Sequence, residues 1–141
     1  MLENEKSKRP ILVSVIALYV ILQALPKITG ILFVTPAIKR TNPELFAQIQ
    51  SYSLVLHYSS LVIAIFLIAS MVLFFLLKKS SLIIYGISFA LELGTTIWKV
   101  LLPNWVEQFG TKGVNSLFSS LAISVVIFGY MLWLWSKEIL N

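Results

Sequence analysis

The stretch that decides the fold is SLIIYGISFALELGTTIWKVLL, residues 81–102. It is long enough to cross a bilayer as one helix, since about 20 helical residues span the hydrocarbon. Glu92 lies near its centre, where a charged side chain costs about 2.5–3.5 kcal/mol on insertion scales. A carboxyl group at this depth therefore needs a partner inside the protein, or it stays in its neutral, protonated form.

Three further apolar runs of similar length predict that the whole chain is a membrane protein. Hydrophobic residues make up 58% of the 141 residues and charged residues 12%, about half of the charged share in a soluble domain. We predict an all-α integral membrane bundle of four transmembrane helices with short loops. The domain covers 11–141 behind a basic leader at 1–10, and its spans are 11–34, 54–77, 81–102 and 115–135.

The distribution of positive charge predicts the topology. The net charge of +5 lies mostly at span ends, where it indicates topology and lipid headgroup contact rather than nucleic-acid binding. Basic residues in the leader, in the turn between spans 2 and 3 and at Lys137 number six, against five on the other side, so both termini are expected in the cytoplasm. The leader contains two acids and no good cleavage site, so span 1 is expected to stay in a bacterial inner membrane.

The sequence contains no pattern typical of a cofactor or metal site. There are no cysteines, which excludes disulfides and thiolate ligands. His57 is the single histidine, so haem and metal ions lack the ligands that they need. We expect an interfacial, hydrogen-bonding histidine, no cofactor, no metal and no catalytic residues.

Span 3 has two distinct faces on a helical wheel. One is a polar sector that consists of Ser88, Glu92, Thr95 and Lys99. The opposite face is a small-residue stripe, typical of helices that a second helix approaches closely, and it consists of Gly86, Ala90 and Gly94. A helix that uses both faces is central in its bundle or contacts a second copy of the protein.

Span 1 carries the polar residues that we expect to meet Glu92. Gln23 lies near the midpoint of the span, and Lys27 follows about one turn, roughly 5–6 Å, nearer the outer surface. We predict an ion pair between Glu92 and Lys27, with the Gln23 amide donating a hydrogen bond. Lys99 and His57 lie farther out, so these residues trace a polar wedge that opens outward and narrows at Glu92.

Two other features of the spans have structural interpretations. Pro26 removes a backbone donor inside span 1 and predicts a kink at Leu22. Ser116, Ser120 and Ser124 repeat every four residues on span 4, and we interpret them as packing residues whose hydroxyls bond to their own helix. As nucleophiles they lack a base within reach.

The layout resembles an uncharacterised family of small bacterial four-span membrane proteins that share a domain of unknown function. The resemblance rests on the basic leader, the long first loop, LFFLLKK at 73–79, a proline after span 3 and YMLWLWSKE at 130–138. Members typically end in YF-x-x-SKRVK, and here Glu138 stands where the next basic residue is expected. The resemblance implies the four-span fold and no particular activity.

Three functions are compatible with these patterns. The leading hypothesis is a non-catalytic accessory, partner-binding or immunity-like protein that contacts the lipid bilayer and a second copy or another membrane protein. The alternative is a small proton- or cation-coupled transporter that uses Glu92 as its coupling carboxylate. An intramembrane enzyme fits least, because the sequence shows no paired carboxylates and no nucleophile–base pair.

Overall fold

Long helices make up most of the part of the chain that the structure describes. The computed structural model describes residues 10–44, 46–47 and 54–140, and at 54, 55, 57, 108 and 109 it describes the backbone alone. Residues 1–9 of the predicted leader therefore lie outside the described residues. No strand occurs in the described ranges.

Two of the connections between the described helices are short, at 76–79 and 102–104. Helix α1 covers Ile11–Thr29 and continues through a π-helical turn, Gly30–Val34, into α2, Thr35–Thr41. Three longer helices complete the order, and they are α3, Leu54–Phe75, α4, Ser80–Leu101, and α5, Trp105–Ser136. Helix α5 contains a break at Gly110, whose φ of 65° is left-handed.

Among the described residues, four helical segments are long and apolar enough to cross a membrane, and they are Ile11–Thr41, Tyr58–Phe75, Ser80–Leu101 and Gly110–Ser136. The predicted all-α bundle of four transmembrane helices is confirmed, and the chain is a multi-pass membrane protein in contact with lipid. Span 1 is longer than the predicted 11–34, because the helix continues to Thr41.

The irregularity of span 1 lies beyond the position that we expected. Helix α1 stays helical through Leu22 and Pro26. The widened turn at Gly30–Val34 begins about two turns after Leu22. Thr35 Oγ1 donates a hydrogen bond of 3.0 Å to the carbonyl oxygen of Gly30 in that turn.

The apolar core lies where α1 and α4 begin and α3 and α5 end, which we call the closed end of the bundle. Phe74 meets Tyr130 edge-on with ring centroids 6.5 Å apart, and Tyr85 stacks on Phe128 at 6.1 Å. The fully buried side chains come from all four spans and the C-terminal tail, and they include Val13, Met71, Phe74, Tyr85, Met131, Leu134 and Leu140.

Packing is uneven around the bundle. Helix α1 packs along α3, α3 along α4, and α4 along α5, whereas α1 and α5 are not among the extensively packed pairs. Ala24 on α1 and Ala64 on α3 are buried, as expected where small side chains let helices approach. A cleft remains between α1 and α5, and at the opposite end of the bundle, the open end, polar cavities replace the core.

Candidate functional site

Two serine hydroxyls of α5 hold the carboxylate of Glu92. Ser120 Oγ donates to Oε1 at 2.7 Å, and Ser124 Oγ donates to Oε2 at 2.9 Å. The serines are four residues apart, so one helical face presents both hydroxyls to the half-buried acid. We call these three residues the carboxylate clamp.

The predicted partner of Glu92 is wrong. Lys27 lines the same cavity, yet in the part of the chain that the structure describes it forms no ion pair with Glu92. The Gln23 amide donates to Tyr19 Oη at 3.2 Å instead of to the acid. Helix α1 packs mainly on α3, and the serines of α5 bond to both carboxylate oxygens of Glu92.

The interpretation of the serines on span 4 as hydroxyls bonded to their own helix was incomplete, because a helical wheel does not show which helices pack together. The hydroxyls of Ser120 and Ser124 bond to another helix, not to their own backbone. The sequence did contain a signal for this contact, because both serines lie on one face near the middle of span 4, at the depth of Glu92. Ser116 lies on that face as well and lines the cavity.

The rest of the polar sector of α4 divides between backbone bonding and the cavity wall. Ser88 Oγ donates to the Tyr85 carbonyl oxygen at 2.9 Å, and Ser88 is buried. Thr95 Oγ1 donates to the Glu92 carbonyl oxygen at 2.9 Å. Thr95 and Lys99 lie in the cavity wall toward the open end. The structure therefore gathers Glu92, Thr95 and Lys99 around one space and keeps Ser88 in the helix packing.

Two polar cavities meet at the clamp. The first has a volume of about 340 Å³ and lies between α1, α4 and α5. The second, of about 250 Å³, extends toward the open end. The residues that line both are Lys27, Glu92, Ser116 and Ser120. Glu92 is therefore reached from two cavities, in a setting that also contains two lysines, Lys27 and Lys99.

The wall that α1 contributes to the first cavity is polar and open. Tyr19, Gln23 and Lys27 line this cavity and are exposed in the chain. They lie within the span Ile11–Thr41, so their surroundings in the bilayer decide how they are solvated. His57 belongs to α3, but its side chain lies outside the described residues.

The small-residue stripe of α4 is largely uncovered. A Cβ atom added at Gly86 would lie 3.7 Å from the Phe128 ring. Ala90 and Gly94 are exposed, and no atom lies within 4 Å of a Cβ added at Gly94. Along Ala90 and Gly94 the stripe therefore seats no helix within the described part of the chain.

No protein-family model matches the chain, and no curated protein or solved structure is significantly similar to it. Within the described ranges, no three acidic, histidine or cysteine side chains come together as metal ligands do. The chemistry of the site therefore follows from its own groups. These are a carboxyl group with two hydroxyl donors, and two lysine side chains beside a partly open polar space.

Proposed function

We propose that this chain is a non-catalytic accessory protein of a bacterial inner membrane, with both termini in the cytoplasm, that binds a membrane partner in the cleft between α1 and α5. The observation that supports this proposal is the incomplete packing of the bundle. Helices α1 and α5 do not pack extensively, and exposed Gln23 and Lys27 face the gap. Acyl chains alone tolerate such polar side chains poorly, so a bound partner completes their surroundings.

The carboxylate clamp suits an accessory role because it acts within the chain. Both oxygens of Glu92 accept hydrogen bonds from α5, and interhelical bonds of this kind hold transmembrane helices together. Tyr85 Oη adds a bond of 3.3 Å to the carbonyl oxygen of Ser124. We infer that Glu92 keeps α5 in place and so maintains the cleft.

Site-specific photocrosslinking in intact cells tests this proposal. A benzophenone side chain replaces Gln23, which faces the cleft, or Leu22, which is 58% exposed and does not line the cavities described here. We expect one adduct to dominate at position 23, and the same adduct to be at most a minor product at position 22, which faces bulk lipid. Equal distributions of adducts from the two positions would contradict a partner in the cleft.

A second function, a small proton- or cation-coupled transporter, is favoured by one observation. Glu92 lines both cavities, and a coupling carboxylate has to be reached from more than one direction. Glu92→Gln keeps an oxygen acceptor for one serine and removes the charge. The accessory function predicts that this variant retains the crosslink at position 23, whereas the transporter predicts that it loses proton-coupled uptake in proteoliposomes.

A further inference from the structure

We propose that the cleft between α1 and α5 binds an anionic phospholipid, with its phosphate beside Lys27 and Lys99 and an acyl chain along the apolar part of the cleft. This inference rests on the proposed function, because it names the chemical class of the membrane partner. It is carried by three features of the cleft, which are its apolar groove, the continuity of that groove with the polar cavity, and the charge of the polar end.

The apolar part of the cleft is a groove of about 530 Å³ toward the closed end. Its α1 wall runs from Leu12 to Tyr19, which gives a length of about 10 Å, about a third of the hydrocarbon thickness. Of the described lining residues, Tyr19 and Tyr130 alone carry polar side-chain atoms. The groove therefore matches a hydrocarbon chain.

The groove is continuous with the first polar cavity. Tyr19, Ile123 and Ile127 line both spaces. A molecule that fills both has to be apolar at one end and polar at the other. This requirement is met by a lipid and excludes a small water-soluble ligand or a bare hydrocarbon.

The charge at the polar end selects the headgroup. Lys27 and Glu92 line both polar cavities, and Lys99 adds a second basic side chain in the walls of the second. With all three groups ionised the excess is positive, and lysine binds phosphate as a point charge. A second copy that met the cleft with its own cleft would bring the same lysines to it, so like charges oppose that isologous contact. An anionic headgroup is complementary.

Native mass spectrometry of the full chain in detergent, with equal amounts of phosphatidylglycerol and phosphatidylcholine, tests the headgroup. We expect a retained phosphatidylglycerol and a preference for it that falls about fivefold in Lys27→Gln, the effect of one basic side chain on attraction to anionic lipid. The matched control is Lys79→Gln, which removes the same charge at the closed end and is expected to keep the preference. Equal effects of the two substitutions would overturn the proposal.

A second pair of variants tests the groove. Val126 lines it and Val125 is not part of its lining, although both are exposed, at 71% and 56%. Val126→Trp fills the groove and is expected to abolish lipid retention, whereas Val125→Trp retains it. If Val126→Trp instead disrupts a dimer of the chain, the lipid is the wrong occupant and the proposed function stands. If the cleft retains nothing and position 23 gives no specific crosslink, both fail.

Discussion

The closed end and the open end of this bundle use the same four helices in opposite ways. At the closed end Val13, Phe74 and Met131 are fully buried, and aromatic rings interlock between helices. At the open end Glu92 is half-buried and Lys27 is exposed beside a cavity. Because lipid tails are as apolar as leucine side chains, there is no hydrophobic driving force between the helices, and close van der Waals packing holds the closed end together. At the open end, polar partners have to stabilise the polar side chains. The comparison teaches that one end provides the packing and the other the binding chemistry.

The largest loss of stability is expected from a substitution that creates a cavity at the closed end. Phe74→Ala should lower the free energy of unfolding by about 2–3 kcal/mol, because the cavity term remains even where lipid removes the transfer term. Phe118→Ala is the matched control, since Phe118 is 55% exposed, and it should change stability by less than about 0.5 kcal/mol. Reversible unfolding in mixed detergent micelles measures both, and equal losses would remove the contrast between the ends.

An intermediate loss of stability is expected when the carboxylate clamp is removed. Glu92→Ala removes the acceptor of two interhelical hydrogen bonds and should destabilise the chain by about 1–2 kcal/mol. Glu92→Gln should lose less, because its amide oxygen still accepts from one serine. The same unfolding assay measures the difference, and a Glu92→Ala variant as stable as the parent would show that the clamp does not hold α5.

Alanine substitutions of two buried serines near the turn between α3 and α4 are expected to change the free energy of unfolding in different directions. Ser70 Oγ donates to the carbonyl oxygen of Ser81 at 3.0 Å, so Ser70→Ala should cost about 0.5–1 kcal/mol. Ser81 Oγ is buried without a hydrogen-bond partner among the described residues, so Ser81→Ala should be neutral or stabilising. Thermal unfolding of the two variants side by side checks the order, and a larger loss from Ser81→Ala would reverse it.

A small gain of stability is expected on the uncovered stripe of α4. Gly94→Ala meets no atom within 4 Å and improves helix propensity, so it should raise the free energy of unfolding by up to about 1 kcal/mol. Gly86→Ala places its methyl group in ordinary contact with Phe128, at 3.7 Å, and should also be tolerated. Destabilisation by Gly94→Ala would mean that a second helix does pack on this face.

The fold could be predicted from the sequence because apolar length alone determines how many helices cross a bilayer. The end of span 1 could not, because the helix passes through an irregular turn at Gly30–Val34 and continues to Thr41. Pro26 pointed to an irregularity in span 1, but the widened turn lies after it, at Gly30–Val34, and hydrophobic periodicity does not reveal that position.

The candidate site was predicted in part. The depth of Glu92 pointed to a buried polar contact, and Lys27, Gln23 and Lys99 do line the cavities around it. The partner was missed because a helical wheel gives the faces of one helix and not the distances between helices. A lysine of opposite charge was favoured over Ser120 and Ser124, yet the packing of α5 against α4 places the hydroxyls on the acid.

A double-mutant cycle tests the central claim most directly, namely that Glu92 is held by the serines of α5 and not by Lys27. The free energy of unfolding is measured for Glu92→Ala, Ser120→Ala, Lys27→Ala and the two double variants that contain Glu92→Ala. We expect a coupling of about 0.5 kcal/mol or more between Glu92 and Ser120, and a smaller one between Glu92 and Lys27. Strong coupling to Lys27 with none to Ser120 would contradict the clamp and restore the ion pair.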